Sequence, residues 1–162
     1  IPIDPFYLSW AARKLGCDSE LIERAASINS QMPLVAANKI MKHLCLKGME
    51  QQASFPLSLI LIGVSYKKNI SDLRASPAIP LYFQLRSCGI KVDIYDPVAV
   101  SDELEESFHA QSLPDLSFID RYDAVVIVTD HDIIQFDDIL DRANLIFDSR
   151  GRYRVTNKVI RI

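Results

Sequence analysis

From Leu57 onward the chain repeats one alternation, a short run of strand-like apolar residues followed by a stretch of helical periodicity, and few folds accept that order. The runs are Leu57 to Val64, Lys91 to Tyr95, Asp123 to Val128 and Leu145 to Phe147, with helical patterns that include Ala78 to Cys88 and Phe136 to Arg142. Strands apolar on both faces and separated by helices form a parallel sheet covered on both sides. The expectation is an α/β, Rossmann-like parallel sheet with helices on both faces, spanning 57–162. No internal repeat interrupts it.

The first third reads differently. Asp4 before Pro5 is the pairing of a helix start, because the carboxylate accepts orphan amides and proline tolerates the first helical position. That helix runs to Leu15 and stops at Gly16. Asp18 is expected to cap a second helix, with Glu20 and Glu23 in its positive first turn and a stripe of Leu21, Ala25, Ile28 and Met32. Pro33 should kink this helix or begin a new one. The stripe resumes at Val35, Ala36, Ile40, Leu44 and Cys45, as far as Lys47 and Gly48. A helix apolar around so much of its circumference needs cover. A second copy of the chain, meeting it through residues 18–48, is one answer, and packing on another part of the same protein is the other. Residues 1–50 are thus expected to be a long-helix dimerisation segment, and MEQQASFP at 49–56 a short linker.

Composition narrows the partners. With 49% hydrophobic and 24% charged residues the chain is globular, and a net charge of -3 gives a nucleic-acid backbone no basic face to meet. The longest apolar runs are far shorter than the roughly 20 residues a membrane helix needs, and the start lacks a charged leader, so a cytoplasmic protein is expected. Cys17, Cys45 and Cys88 are odd in number, far apart, unpaired by CxxC spacing and without a histidine at metal-ligand spacing. They read as buried, reduced thiols and not as metal ligands; no metal site is expected.

In open α/β sheets ligands sit beyond the carboxyl ends of the strands, which directs attention to the loops after the runs. Those loops are SYKKNISDLRASP, TDHD and DSRGR. Together they gather Lys67, Lys68, Arg74, Arg150 and Arg152, with Asp72, Asp130, His131 and Asp148 among them. Gly63 stands alone in the first loop, which excludes the ordinary dinucleotide fingerprint. A phosphate here must be met by side chains, Lys67 as a point charge and Arg150 as a fork, unless both are simply solvated. His131 reads as a loop histidine bonded to backbone.

The segment GVSYKKNISDLRASPAIPL resembles the GxAYKxDxDDxRESPAxxL stretch of the UDP-glucose/GDP-mannose dehydrogenase family, and IPIDPFYL is similar to the residues that follow that family's catalytic cysteine. INSQMP, VIVTDHDIIQF and FDSRG resemble its dimer helix, a later strand and loop, and its last substrate-binding stretch. The resemblance covers nearly the whole chain. It implies a central helical segment and a carboxy-terminal UDP-sugar-binding domain, with the catalytic cysteine one residue before Ile1 and the NAD-binding domain before that.

The implied chemistry is oxidation of a sugar C6 alcohol to a carboxylate with two NAD, through a cysteine thiohemiacetal and thioester. Asp4 matches an aspartate that helps activate the hydrolytic water. Tyr66, Lys67 and Arg150 match substrate-binding positions, Phe6 and Tyr7 candidates for the sugar pocket, and Arg74 the arginine that reaches NAD, with an ion pair to Asp72 as its alternative. Asn69 and Ser71 replace usual acidic residues, and Ala75 a usual glutamate. IPIDPFY resembles the branch acting on UDP-N-acetylglucosamine or UDP-N-acetylmannosamine more than the CFPKD pattern of UDP-glucose enzymes. UDP-glucose 6-dehydrogenase, or a non-catalytic nucleotide-sugar binding and dimerisation module, are the alternatives.

Overall fold

A computed structural model describes residues 4–51 and 56–162, with side chains omitted for 47–51. The IPI of the opening motif and residues 52–55 of the expected linker fall outside the described residues, and 49–51 of that linker are helix instead. Two helices come first, α1 (Asp4–Lys14) and α2 (Glu20–Gln51). An α/β unit follows: β1 (Ser58–Ile62), α3 (Ala78–Ser87), β2 (Lys91–Tyr95), α4 (Ser101–Phe108), a 3-10 turn (Ile119–Arg121), β3 (Ala124–Ile127), α5 (Phe136–Arg142), β4 (Ile146–Asp148) and β5 (Val159–Arg161).

All strand pairings are parallel, in the order β2-β1-β3-β4-β5. Period-2 alternation divides the sheet between two cores. Leu59 and Leu61 of β1, Val92 and Ile94 of β2 and Val126 of β3 face α2, α3 and α4, while Ile60, Ile62, Val125 and Ile127 face α5 and the 3-10 turn. Each such side chain fully buried is worth about 1.5–3 kcal/mol, and the face toward α2, α3 and α4, which holds the larger cluster, contributes the larger share. The Rossmann-like expectation holds, with helices on both faces. Strand order reverses between β1 and β3, the switch point beside which open α/β sheets leave a crevice.

Several local expectations change. The chain continues as helix through Pro33, which is itself buried, and through Gly48 to Gln51. One lost backbone bond is offset because the continuation buries Ala37, Ile40 and Leu44 in the core shared with α3. Asp18 accepts from the Ser19 N–H, not from the first turn of α2. All three cysteines are exposed, not buried: Cys17 lies between α1 and α2, Cys45 points away from the Leu44 face, and Cys88 ends α3. The described residues also include α4 and β5, which the apolar pattern does not reveal.

Candidate functional site

The loop after β1 begins with a forced glycine. Gly63 has φ +69°, and a Cβ there would overlap the Thr129 carbonyl, so the end of β1 and the end of β3 approach as only glycine allows. Beyond it, Asp96 at the end of β2 organises two loops. Its Oδ2 accepts from Val64 N at 2.7 Å, Ser65 N at 2.9 Å and Ser65 Oγ at 2.9 Å, and its Oδ1 from Val98 N at 2.9 Å and Ala99 N at 3.0 Å. Burial pushes this carboxyl up, but the hydrogen bonds from His131 and the backbone amides outweigh it and hold Asp96 well below the usual carboxylate range.

His131 is fully buried and lies between two partners. Its Nδ1 accepts from the Asn69 N–H at 2.9 Å, and its Nε2 lies 3.2 Å from Asp96 Oδ2. A backbone N–H only donates, so Nε2 carries the ring proton and donates to Asp96. Asn69 sits at φ 60° and bonds Asp132 on both sides of its amide, at 2.7 and 2.9 Å, while Lys68 pairs with Asp132 at 2.5 Å.

The turn after β4 is built around Asp148, also fully buried. Its Oδ1 accepts from Arg150 N and Gly151 N, each at 2.8 Å, and its Oδ2 from Tyr153 N at 3.0 Å. The turn aims Arg150 back along β3, where Nε donates to Val128 O at 2.5 Å and Nη2 to Thr129 Oγ1 at 3.1 Å. Nη1 has no partner among the described residues.

These loops form one wall of a cleft of about 1140 Å³ whose other wall is α1 and α2. Lys67 and Arg150 are the only charged side chains among the described residues that line it. No carboxylate answers either of them across the cleft, so an anion entering it is attracted without competition. Tyr66 stands beside Lys67, whose Nζ is 5.6 Å from the ring centroid. Of the remaining polar linings, Ser30, Ser76 and Ser149 donate their hydroxyls to backbone carbonyls. Asn29 of α2 has no such commitment among the described residues and faces the same space.

Lys67 and Arg150, from loops far apart in sequence, thus share a cavity with Tyr66 and Phe6. Tyr7 lies outside the lining and is 68% exposed. Asp4 is exposed at the first residue of α1. Arg74 also lies outside, its side chain 91% exposed and forked onto Asp72 at 2.8 and 2.9 Å. Hydrogen bonds from Arg74 lower the Asp72 carboxyl to about 2. No group of metal-ligating side chains occurs among the described residues. Asp96 is the residue the sequence reading missed; a strand ending in Asp-Pro was its signal, because such an aspartate readily takes up loop amides.

The model of the UDP binding domain of the UDP-glucose/GDP-mannose dehydrogenase family matches residues 60–155, which hold β2, β3, β4, most of β1 and every loop of this wall, but not β5. The chain belongs to that family. It is similar to the UDP-N-acetyl-D-glucosamine 6-dehydrogenase of Salmonella typhi, with 25% identity over 81% of this chain and 30% of that protein. It is also similar to the UDP-N-acetyl-D-mannosamine dehydrogenase of Methanococcus maripaludis, with 28% identity over 93% of this chain and 34% of that protein. The chain therefore spans about a third of the length of these curated relatives. Among solved structures, GDP-mannose dehydrogenase of Pseudomonas aeruginosa superposes with a TM-score of 0.78 at 20% identity, covering 99% of this chain and 38% of that one, a likeness of fold.

Proposed function

We propose that this chain is the nucleotide-sugar-binding part of an NAD-dependent dehydrogenase that oxidises the C6 alcohol of a UDP-N-acetylhexosamine to the uronic acid. The observation that carries the reading is the convergence of Lys67 and Arg150 on one uncontested cleft inside the family match. A diphosphate suits that pair: Lys67 supplies a mobile ammonium, and Arg150, already braced on β3, presents Nη1 without further ordering. Tyr66 offers a ring face to the uracil or sugar, and Phe6 an apolar edge. The names of the two relatives favour an acetamido sugar over glucose.

Asp4 takes the part of a base for the water that releases the oxidised product, at the start of α1 where its carboxylate stays hydrated. Tyr7 belongs to the outer rim. The turn after β1 does not fit NAD: one glycine stands in it, and α3 begins at Ala78, too far from the end of β1 for a helix N-terminus to meet a pyrophosphate. NAD is therefore assigned to a part of the protein outside these residues, with Arg74 as the residue offered toward it from this side. No described helix is long and apolar enough to cross a membrane, and the reading places the enzyme in the cytoplasm, where both nucleotides are available.

α2 completes the reading as a homodimer contact through 18–48. Ile28 and Val35 are each 50% exposed and Leu34 is 47% exposed, a spread of uncovered apolar surface outside the cleft that a second copy would bury.

Calorimetric titration of the chain with UDP tests the proposal. Binding is expected, and each of Lys67→Ala and Arg150→Ala should weaken it by about 10- to 100-fold, the worth of one charge-assisted hydrogen bond. Binding that ignores both substitutions overturns the assignment of the cleft.

A further inference from the structure

The tripeptide that carries Tyr66 and Lys67 is held from both ends by one buried pair. On its amino side, Ser65 gives both its N–H and its hydroxyl to Asp96, each at 2.9 Å. On its carboxyl side, Asn69 gives its N–H to His131 Nδ1 at 2.9 Å. The two holders are themselves joined, His131 Nε2 donating to Asp96 at 3.2 Å, and both side chains are fully buried. Ser65, Asp96, His131 and Asn69 thus make a closed bracket around Tyr66, Lys67 and Lys68; within it Tyr66 also donates its N–H to Asp72 O at 2.8 Å and Lys68 pairs with Asp132, so Lys67 is the one left without a partner among the described residues.

From this geometry we infer that His131 is a positioning residue of the candidate site: in its Nε2–H form it closes the bracket that holds Tyr66 and Lys67 at the cleft. It does not touch the cleft itself, being absent from its lining. It acts through Lys67, and so rests on the reading of the cleft as a diphosphate site. The physical need is plain. Lys67 is exposed, has no ion-pair partner among the described residues and owns a long flexible stem. Unless its backbone is fixed, the ordering of loop and side chain is charged to every binding event. Asn69 is also the point where the chain reverses, at φ 60°, a conformation that costs a non-glycine residue free energy and persists only when its surroundings hold it. Among the bonds to Asn69, the one from its backbone N–H ties the reversal directly to the sheet, because Asp132 and Lys68 lie on the exposed side.

The assignment makes the tautomer matter, since only a ring with Nδ1 unprotonated accepts from Asn69 while Nε2 donates to Asp96. Glutamine offers one acceptor and one donor on a side chain of similar reach. Phenylalanine fills the space and offers neither.

Three measurements on the unliganded and UDP-titrated chain test it. Nitrogen NMR of the His131 ring should report the Nε2–H tautomer; the opposite tautomer overturns the inference without any variant. Amide exchange should show Asn69 protection falling by about tenfold or more in His131→Phe, the scale of one lost hydrogen bond, with Ile60 and Val126 in the sheet keeping theirs. His131→Gln should restore Asn69 protection to within about threefold of the parent. The UDP dissociation constant should follow the same order, rising about tenfold in His131→Phe and returning toward the parent value in His131→Gln. Unchanged Asn69 protection in His131→Phe, or a UDP affinity lost equally in both variants, overturns it. If the parent chain does not bind UDP at all, the reading of the cleft fails, while the tautomer and exchange measurements still decide whether His131 closes the bracket. Should His131→Phe not fold, His131→Gln and the tautomer carry the decision.

Discussion

Around Asp96 the loops are partnered from within the chain, with amides of Val64, Ser65, Val98 and Ala99 and the ring of His131 all directed at one buried carboxylate. Across the cleft, α2 lines the space with Leu21 and Met32 and turns Ile28 and Val35 to solvent outside it. One wall is tied together by bonds within the chain, and the other leaves apolar side chains exposed. The difference teaches where precision is needed: a wall that aims cations must be fixed by directional bonds, while a wall that only has to be covered can rely on non-directional apolar surface.

The contrast breaks most violently at Asp96. Asp96→Ala would leave several buried amides and the His131 N–H unanswered and should cost about 4 kcal/mol, near the limit of what single substitutions do. Denaturant titration should show the loss, and Asp96→Asn, which keeps an acceptor oxygen, should recover part of it. Next comes the joint between the walls. Ile40 of α2 is fully buried, and Ile40→Ala should cost about 3 kcal/mol through lost burial and the cavity left behind. Its signature should be early release of α2, seen as amide exchange along the helix before the sheet opens.

On the free wall the sign of the effect changes with the observable. Ile28→Glu should leave stability within about 0.5 kcal/mol, since the side chain is half exposed in one copy and lies outside the cleft. Light scattering should nevertheless show the self-association proposed for 18–48 weakened or gone. If the parent is a monomer at high concentration, the exposed face belongs to something other than a second copy.

The two walls also differed in how far they could be read in advance. Strands β1 and β3 were legible because burial on both faces writes an unbroken apolar run, and Lys67 and Arg150 were legible because each follows such a run. The short strand β5, VIR, carries an arginine and lies within a basic stretch, so no run marks it. Helix α4, SDELEESF, buries only Leu104 and Phe108 and looks like a polar loop. A new helix at Pro33 was one of two expectations, beside a kink, because local chemistry was weighed without the burial that carries the helix past it. Cys45 read as buried because a small apolar residue on an apolar face implies a neighbour, and no described residue covers it; Cys17 and Cys88 sit at helix ends, which the structure leaves exposed. Asp96 stayed hidden for the converse reason: its importance lies in donors from several loops, whose convergence exists only once the sheet has closed.

The smallest effect sharpens the comparison on the polar side alone, between two aspartates that are both held below their ordinary value. Asp72 owes its low value to Arg74, whose side chain is 91% exposed, whereas Asp96 owes its own to groups that water does not reach. For a depressed carboxylate the stabilisation is fully present above the unfolded value, 3.8 in both, and disappears as pH falls through the folded value. For Asp72 that window runs from 3.8 down to about 2. Because its partner is solvated, salt should erase most of the contribution at any pH within the window. For Asp96 the loss should begin from the same side but continue to stronger acid and stay nearly indifferent to salt. Acid unfolding followed at low and high ionic strength, in the parent and in Arg74→Ala, separates them: Arg74→Ala should change stability only slightly and remove only the salt-sensitive part. A large salt-insensitive change in that variant would mean that Arg74 is held by more than Asp72, and that the outer loop is fixed as firmly as the inner one.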